Sequence, residues 1–205
     1  MKYQISTILS VTALAFANTL TPWSEAIASP DIINFPLVRP ATLSSACLPY
    51  AKGTVKVTNQ GNVDLMEVRV NGMPPNTEFD VFVIQVPNFP FGLSWYQGDL
   101  QTKSNGKGYG QFLGRFNTET FIVALGVANA PQVHADKFPD ALENPATAPV
   151  HTYHVGIWFN TPEDAVKASC PGATTPFNGE HKAGIQILNT STFPDNQGPL
   201  LKLKP

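Results

Sequence analysis

The chain has 205 residues, 42% of them hydrophobic and 14% charged, with a formal net charge of -2. That balance excludes a basic nucleic-acid binder and an acidic disordered tail, and it leaves ample length for one buried core. Nineteen prolines and 15 glycines interrupt regular structure too often for long helices. The expectation is an all-β fold, a two-layer antiparallel sandwich of about eight strands with one short helix and one long loop.

Lys2, the apolar stretch 5–20 and the small-x-small pattern Ala26-Ile27-Ala28 read as a signal peptide over residues 1–28, cleaved after Ala28. A bilayer span needs about 20 mostly apolar residues, and this stretch is shorter and more polar. The mature chain is therefore expected to be secreted, extracellular or periplasmic, without a transmembrane segment. Residues 29–52 hold Pro30, Pro36 and Pro40 and read as an extended leader or edge segment, because proline cannot donate to a ladder. Residues 53–205 read as a single sandwich domain. Cys47 and Cys170 form an even pair in an oxidising compartment and are expected to close one disulfide.

From residue 53 the apolar pattern alternates. "TVKV", Gly61-Asn62 and "VDLMEVRV" predict a β-hairpin. Val63 and Leu65 stand in one phase and Val68 and Val70 in the other, which predicts a β-bulge near Met66 and Glu67. A turn then leads into Phe79–Ile84, apolar on both faces and so expected to be a central strand. Pro74, Pro75 and Thr77, followed by Phe79, Val81 and Val83, resemble the turn-then-strand segment of fibronectin type III domains. The resemblance implies an immunoglobulin-like sandwich architecture and carries no function with it. Phe79 stands where those domains place a tyrosine, so the hydroxyl that ties the corner to the backbone is missing.

"NFPFGLSWYQGD", residues 88–99, reads as a loop holding Phe89, Phe91, Trp95 and Tyr96. Leaving four aromatics wet would forgo several kcal/mol at about 25 cal/mol per Å². Phe89 and Phe91 are therefore expected to be buried, plugging one end of the sandwich, with Trp95 or Tyr96 facing outward as a ligand-binding residue. Asn105-Gly106 predicts a second hairpin joining "DLQTKS" to "KGYGQFLGRF", and "TFIVALGV" a buried strand. Residues 128–150, with four prolines, form the long loop. In "TYHVGIWF" the alternation puts Tyr153, Val155, Ile157 and Phe159 on one face and His154 and Trp158 on the other. Thr161, Pro162, Glu163 and Asp164 are an N-cap, first-turn proline and acidic first turn, so a short helix follows and ends at Cys170-Pro171-Gly172. "AGIQIL" is the last strand, before a Pro- and Gly-containing tail.

No G-x-S-x-G elbow or H-E-x-x-H spacing is present, and "GKGYG" runs into a strand rather than opening a helix. One metal set is conceivable: His134 and Asp136 in an extended stretch, joined by His154 or His151 from the far end of the long loop. Asp136, Asp140 and Glu143 offer oxygens to calcium but match no EF-hand spacing. Asn189-Thr190-Ser191 matches a glycosylation acceptor. The reading that follows is a non-catalytic secreted module without a cofactor, recognising glycan or extracellular protein through its loops and binding no nucleic acid. The competing reading is a metal-assisted hydrolase built on the 126–151 loop.

Overall fold

The computed structural model describes residues 31–116, 151–170, 175–176 and 182–203. Two four-stranded antiparallel sheets face one another. The first contains β1 (Ile32–Leu37), β2 (Lys52–Asn59), β3 (Asp64–Asn71) and β6 (Gly108–Gly114), in the order β1-β2-β3-β6. The second contains β4 (Glu78–Ile84), β5 (Ser94–Gln101), β7 (His154–Phe159) and β10 (Gln186–Asn189), in the order β10-β7-β4-β5. A small ladder joins β8 (Thr175–Pro176) to β9 (Lys182–Ala183), so the expected single last strand is split between β9 and β10. The all-β sandwich read from composition and periodicity is the fold observed; the expected signal peptide 1–28, the strand "TFIVALGV" and the long loop 128–150 lie outside the described residues.

The core lies between the sheets. Val55, Val57, Met66 and Val68 from the first sheet are buried with Phe79, Val81, Val155 and Ile157 from the second, and the Phe79 and Phe159 rings pack 5.0 Å apart. β7 follows the predicted alternation: Val155, Ile157 and Phe159 enter this core, while Trp158 joins Ile84 and Ala183 on the outer side. β4 is central, between β5 and β7, as its two apolar faces require. β1 lies on the edge of its sheet, and one residue further Val38 bridges to Asn189 with both backbone bonds at 2.8 Å. One segment thus ties the edge of the first sheet to the edge of the second.

Three predicted details are corrected. The β2–β3 ladder runs without a register shift from Lys52↔Asn71 to Asn59↔Asp64, so no bulge exists at Met66 and Glu67. The inward phase is Asp64, Met66, Val68 and Val70, and Val63 belongs to the exposed turn rather than to the strand. Buried Asp64 is accommodated because its Oδ2 accepts from the Phe116 N–H at 2.8 Å. The bulge lies in β5 instead, where Val81 pairs with Gly98 but Phe82 pairs with Tyr96. Gly98 has φ +148 there, and a Cβ on it would meet the Phe112 ring at 2.9 Å. Finally, Asn105-Gly106 does make a tight turn, with Lys103 N–H bonding to Lys107 O at 2.9 Å, but β5 and β6 leave it into opposite sheets. The turn is a hairpin only at its base, through the antiparallel Thr102–Gly108 bridge, and beyond it the strands part at a corner into different layers.

That corner also holds the turn before β4: buried Thr102 accepts from the Thr77 N–H (2.9 Å) and donates to the Pro74 carbonyl (2.6 Å). The helix α1 (Pro162–Lys167) starts as predicted: the Thr161 side chain accepts from Asp164 N–H at 3.2 Å, with Pro162 at the first position. Cys47 and Cys170, both buried, form the predicted disulfide across 123 residues of sequence. It ties the loop after β1 to the end of α1. Closing so long a loop is worth about 5 kcal/mol in the chain-entropy model. Urea unfolding of the Cys47→Ser/Cys170→Ser variant should therefore show a stability loss of that order, about 3–5 kcal/mol, with an unchanged strand signature by circular dichroism.

Candidate functional site

The aromatic stretch between β4 and β5 is half loop and half strand. The loop proper is 85–93, closed by Gln85 N–H to Leu93 O (2.8 Å) and Val86 N–H to Phe91 O (3.1 Å). Gly92 takes φ +66, with the Gln85 side chain against it, so a side chain at 92 would collide. Phe89-Pro90 is a cis peptide. The loop is held from outside by Asn189, whose buried Nδ2 donates to the Pro87 carbonyl at 2.8 Å.

Trp95 and Tyr96 stand on β5, not in the loop. The extra residue at Gln97 shifts the phase of the strand. It places Tyr96 opposite Phe82 on the outer face, with Asp80 and Asp99, and Trp95 opposite Val83. Trp95 is 51% exposed. Five rings then form a continuous series across the outer face of the second sheet: Phe89–Phe91 at 5.9 Å, Phe91–Trp158 at 4.9 Å and Trp158–Phe82 at 5.2 Å, all edge-to-face, and Phe82–Tyr96 at 5.6 Å, tilted.

The expected burial of Phe89 and Phe91 is corrected. The residues of this loop that enter buried positions are Pro87 and Leu93; Phe91 is half-buried on Trp158, and Phe89 is 85% exposed. The reason is topological. The β4–β5 connection folds over the outer face of its own sheet, where Trp158 already fills the space, and not over the open end of the sandwich. Beside Phe89 lies a cleft of about 280 Å³ lined by Pro40, Leu43, Asn88, Phe91, Ile185 and Gln186. Gln186 is buried; its Oε1 accepts from Asn189 Nδ2 at 3.0 Å, and its Nε2 has no hydrogen-bond partner among the described residues.

At the far end of the ring series the outer face is acidic. Asp80 is buried and lies opposite Asp99 in the ladder. Its carboxyl is pushed up to about 7, first by burial and then by the negative charges of Asp99 and Glu78. The Tyr96 hydroxyl donates to Asp99 Oδ1; burial, and next that bond, raise its pKa.

The histidines are dispersed in role. His154 is buried on β7, with Nδ1 at 2.8 Å from Thr190 Oγ1 and Nε2 at 3.1 Å from the Asp195 carbonyl. A carbonyl only accepts, so Nε2 carries the proton and Nδ1 accepts from the threonine hydroxyl. Both nitrogens are engaged, and burial lowers the pKa. His154 thus has no lone pair left for a metal ion while these bonds hold. His151 stacks on Tyr153 at 5.2 Å. His134, Asp136, Asp140 and Glu143 lie outside the described residues, and among the described residues no group of three His, Cys, Asp or Glu side chains is placed to hold a metal. Among them, too, no helix is long and apolar enough to cross a membrane.

Compared with known proteins, the chain matches no family model, and no curated protein matches it.

Two outcomes test this geometry. Phe89→Ser should change stability by no more than about 0.5 kcal/mol, as an exposed side chain does, whereas Phe91→Ala should cost about 1–3 kcal/mol in urea unfolding. The Asp80 carboxyl is raised in the folded state from an ordinary value of 3.8. Between those limits the folded chain holds a proton that the unfolded chain has lost, so this group's contribution to stability falls as pH rises from about 4 to about 7. The stability difference between the native protein and Asp80→Asn, measured across that range, should shift in favour of the asparagine variant. Taking the difference cancels the opposite trend from His154, whose lowered pKa weakens the fold as pH drops.

Proposed function

We propose that the chain is a secreted, non-catalytic sandwich of the immunoglobulin-like or fibronectin type III-like kind that recognises glycan or protein outside the cell. Strand order supports the architectural part. Leaving β1 aside, β2-β3-β6 facing β10-β7-β4-β5 follows the A-B-E and G-F-C-C′ arrangement of immunoglobulin-like sheets. The sequence likeness at Pro74–Val83 lends no further support, because that segment is β4, in the C position, whereas the corner tyrosine of such domains opens strand F.

The observation that carries the binding part is Phe89. A phenylalanine 85% exposed, on a loop fixed by Asn189, braced edge-on by Phe91 and set beside a cleft, forgoes roughly 2 kcal/mol of burial. Rigid, exposed aromatics of this kind are the usual anchors of binding surfaces. Trp95, 51% exposed on edge strand β5 but in the phase of inward Val83, is a second exposed ring outside the ring series, and glycan is the favoured ligand because flat rings stack on the apolar faces of sugars. Sedimentation with chitin, cellulose and peptidoglycan tests it. The protein should be retained by at least one, and Phe89→Ala/Trp95→Ala should weaken retention about tenfold. Equal retention of the double variant would remove the ring surface from consideration.

A further inference from the structure

We propose that the outer face of the first sheet carries a second, separate binding site, a cationic groove that takes an anionic polysaccharide. Across β2, β3 and β6 the outward residues Thr54, Arg69 and Tyr109 stand in one register row, and Lys52 pairs with Asn71 in the next outward row. Here the surface forms a shallow, open groove of about 560 Å³. Lys52, Arg69, Lys103 and Lys107 line it, and no carboxylate is among its described lining residues. In a chain of net charge -2, four cations gathered in one groove repel each other and weaken the fold slightly. Charge complementarity is the gain that offsets this.

The groove is built rather than incidental. Arg69 is held by Glu67 at 3.0 Å and lies 4.7 Å over the Tyr109 ring, whose hydroxyl donates to the same Glu67 at 2.9 Å. Glu67 also pairs with Lys56 at 3.3 Å, so Arg69 shares this carboxylate with a cation that lies outside the groove lining. Lys103 and Lys107 are delivered by the corner turn, which is pinned to the sheet by Met73 N–H to Gly106 O (3.2 Å) and, next to it, by buried Thr102. Thr54 and Asn71 add polar groups able to bond hydroxyls.

A polysaccharide fits better than a nucleic acid. A duplex presents a charge about every 1.7 Å and calls for an extended basic surface. Here the neighbouring row is Asn34–Lys56–Glu67–Gln111, and the one beyond it is Ile32–Thr58–Leu65–Leu113, which is mostly apolar. Sparse anions amid hydroxyls suit the mixture of cations, Thr54, Asn71 and Tyr109. This site does not rest on the ring surface of the other sheet.

The test is calorimetric titration of the purified protein with a heparin hexasaccharide and an oligogalacturonate, against cellohexaose as the neutral control. At least one anionic glycan should bind and cellohexaose should not. Affinity should fall about tenfold between about 50 and 200 mM salt. Arg69→Ala/Lys107→Ala should weaken binding about tenfold or more. Lys103→Gln/Lys107→Gln, confined to exposed turn residues, should do the same with an unchanged melting temperature, and it decides the matter if the first variant folds poorly. Lys167→Ala, on α1, and Phe89→Ala/Trp95→Ala should both bind as the native protein does. The proposal is overturned if neither anionic glycan binds, if the turn variant binds normally, or if a DNA duplex or phosphatidylglycerol vesicles bind more tightly than the glycans.

Discussion

The alternating apolar residues of β2, β3, β4 and β7 find partners only across the gap between the two sheets. Val55, Val57, Met66 and Val68 are dry because Phe79, Val81, Val155 and Ile157 face them, and each such side chain is worth about 1.5–3 kcal/mol when fully buried. Everything else in the molecule is arranged around keeping those layers in register. β1 closes one side by pairing first with β2 and then, through Val38, with Asn189 of the opposite sheet. The disulfide joins the loop after β1 to the end of α1. Thr102 locks the corner where the chain passes from one layer to the other.

With the inner faces committed, the outer faces are free to differ, and they do. The second sheet presents a series of rings from Phe89 to Tyr96 that ends at Asp80 and Asp99. The first sheet presents Lys52, Arg69, Lys103 and Lys107. Among the described residues the two outer faces thus differ in character: rings ending in a carboxylate pair on one, a cluster of four cations on the other. Overall charge says nothing of this, because it sums over the whole chain and carries no positions.

The parts legible in the sequence were those governed by local periodicity or local chemistry. The alternation in β7, the two-faced burial of β4, the N-cap at Thr161 and the pairing of Cys47 with Cys170 each follow from neighbours along the chain or from compartment chemistry. What was not legible depended on which sheet a strand joins. Asn105-Gly106 has the composition of a hairpin turn, and only the packing of β6 on β3 makes it a corner. Phe89 looks like core by residue type, yet the space it would have filled belongs to Trp158, some seventy positions away in sequence. The phase of Tyr96 turns on one extra residue at Gln97. The basic groove escaped for the same reason: its four cations come from three segments that only sheet register and the corner turn bring together. Lys52, Arg69 and Tyr109 do occupy the outward phase of their strands, which was the one signal available.

Asn189 has a practical implication for producing the protein. Its tripeptide with Thr190 and Ser191 is an acceptor for N-linked sugar, but the folded chain buries the side chain and uses its Nδ2 to hold the Pro87 carbonyl and Gln186. A host that attaches oligosaccharide during synthesis can reach this amide only before β10 docks. A modified chain would then have no room for the sugar between the last strand and the aromatic loop, so expression in a non-glycosylating host, or replacement of Ser191, is the route that preserves a native product.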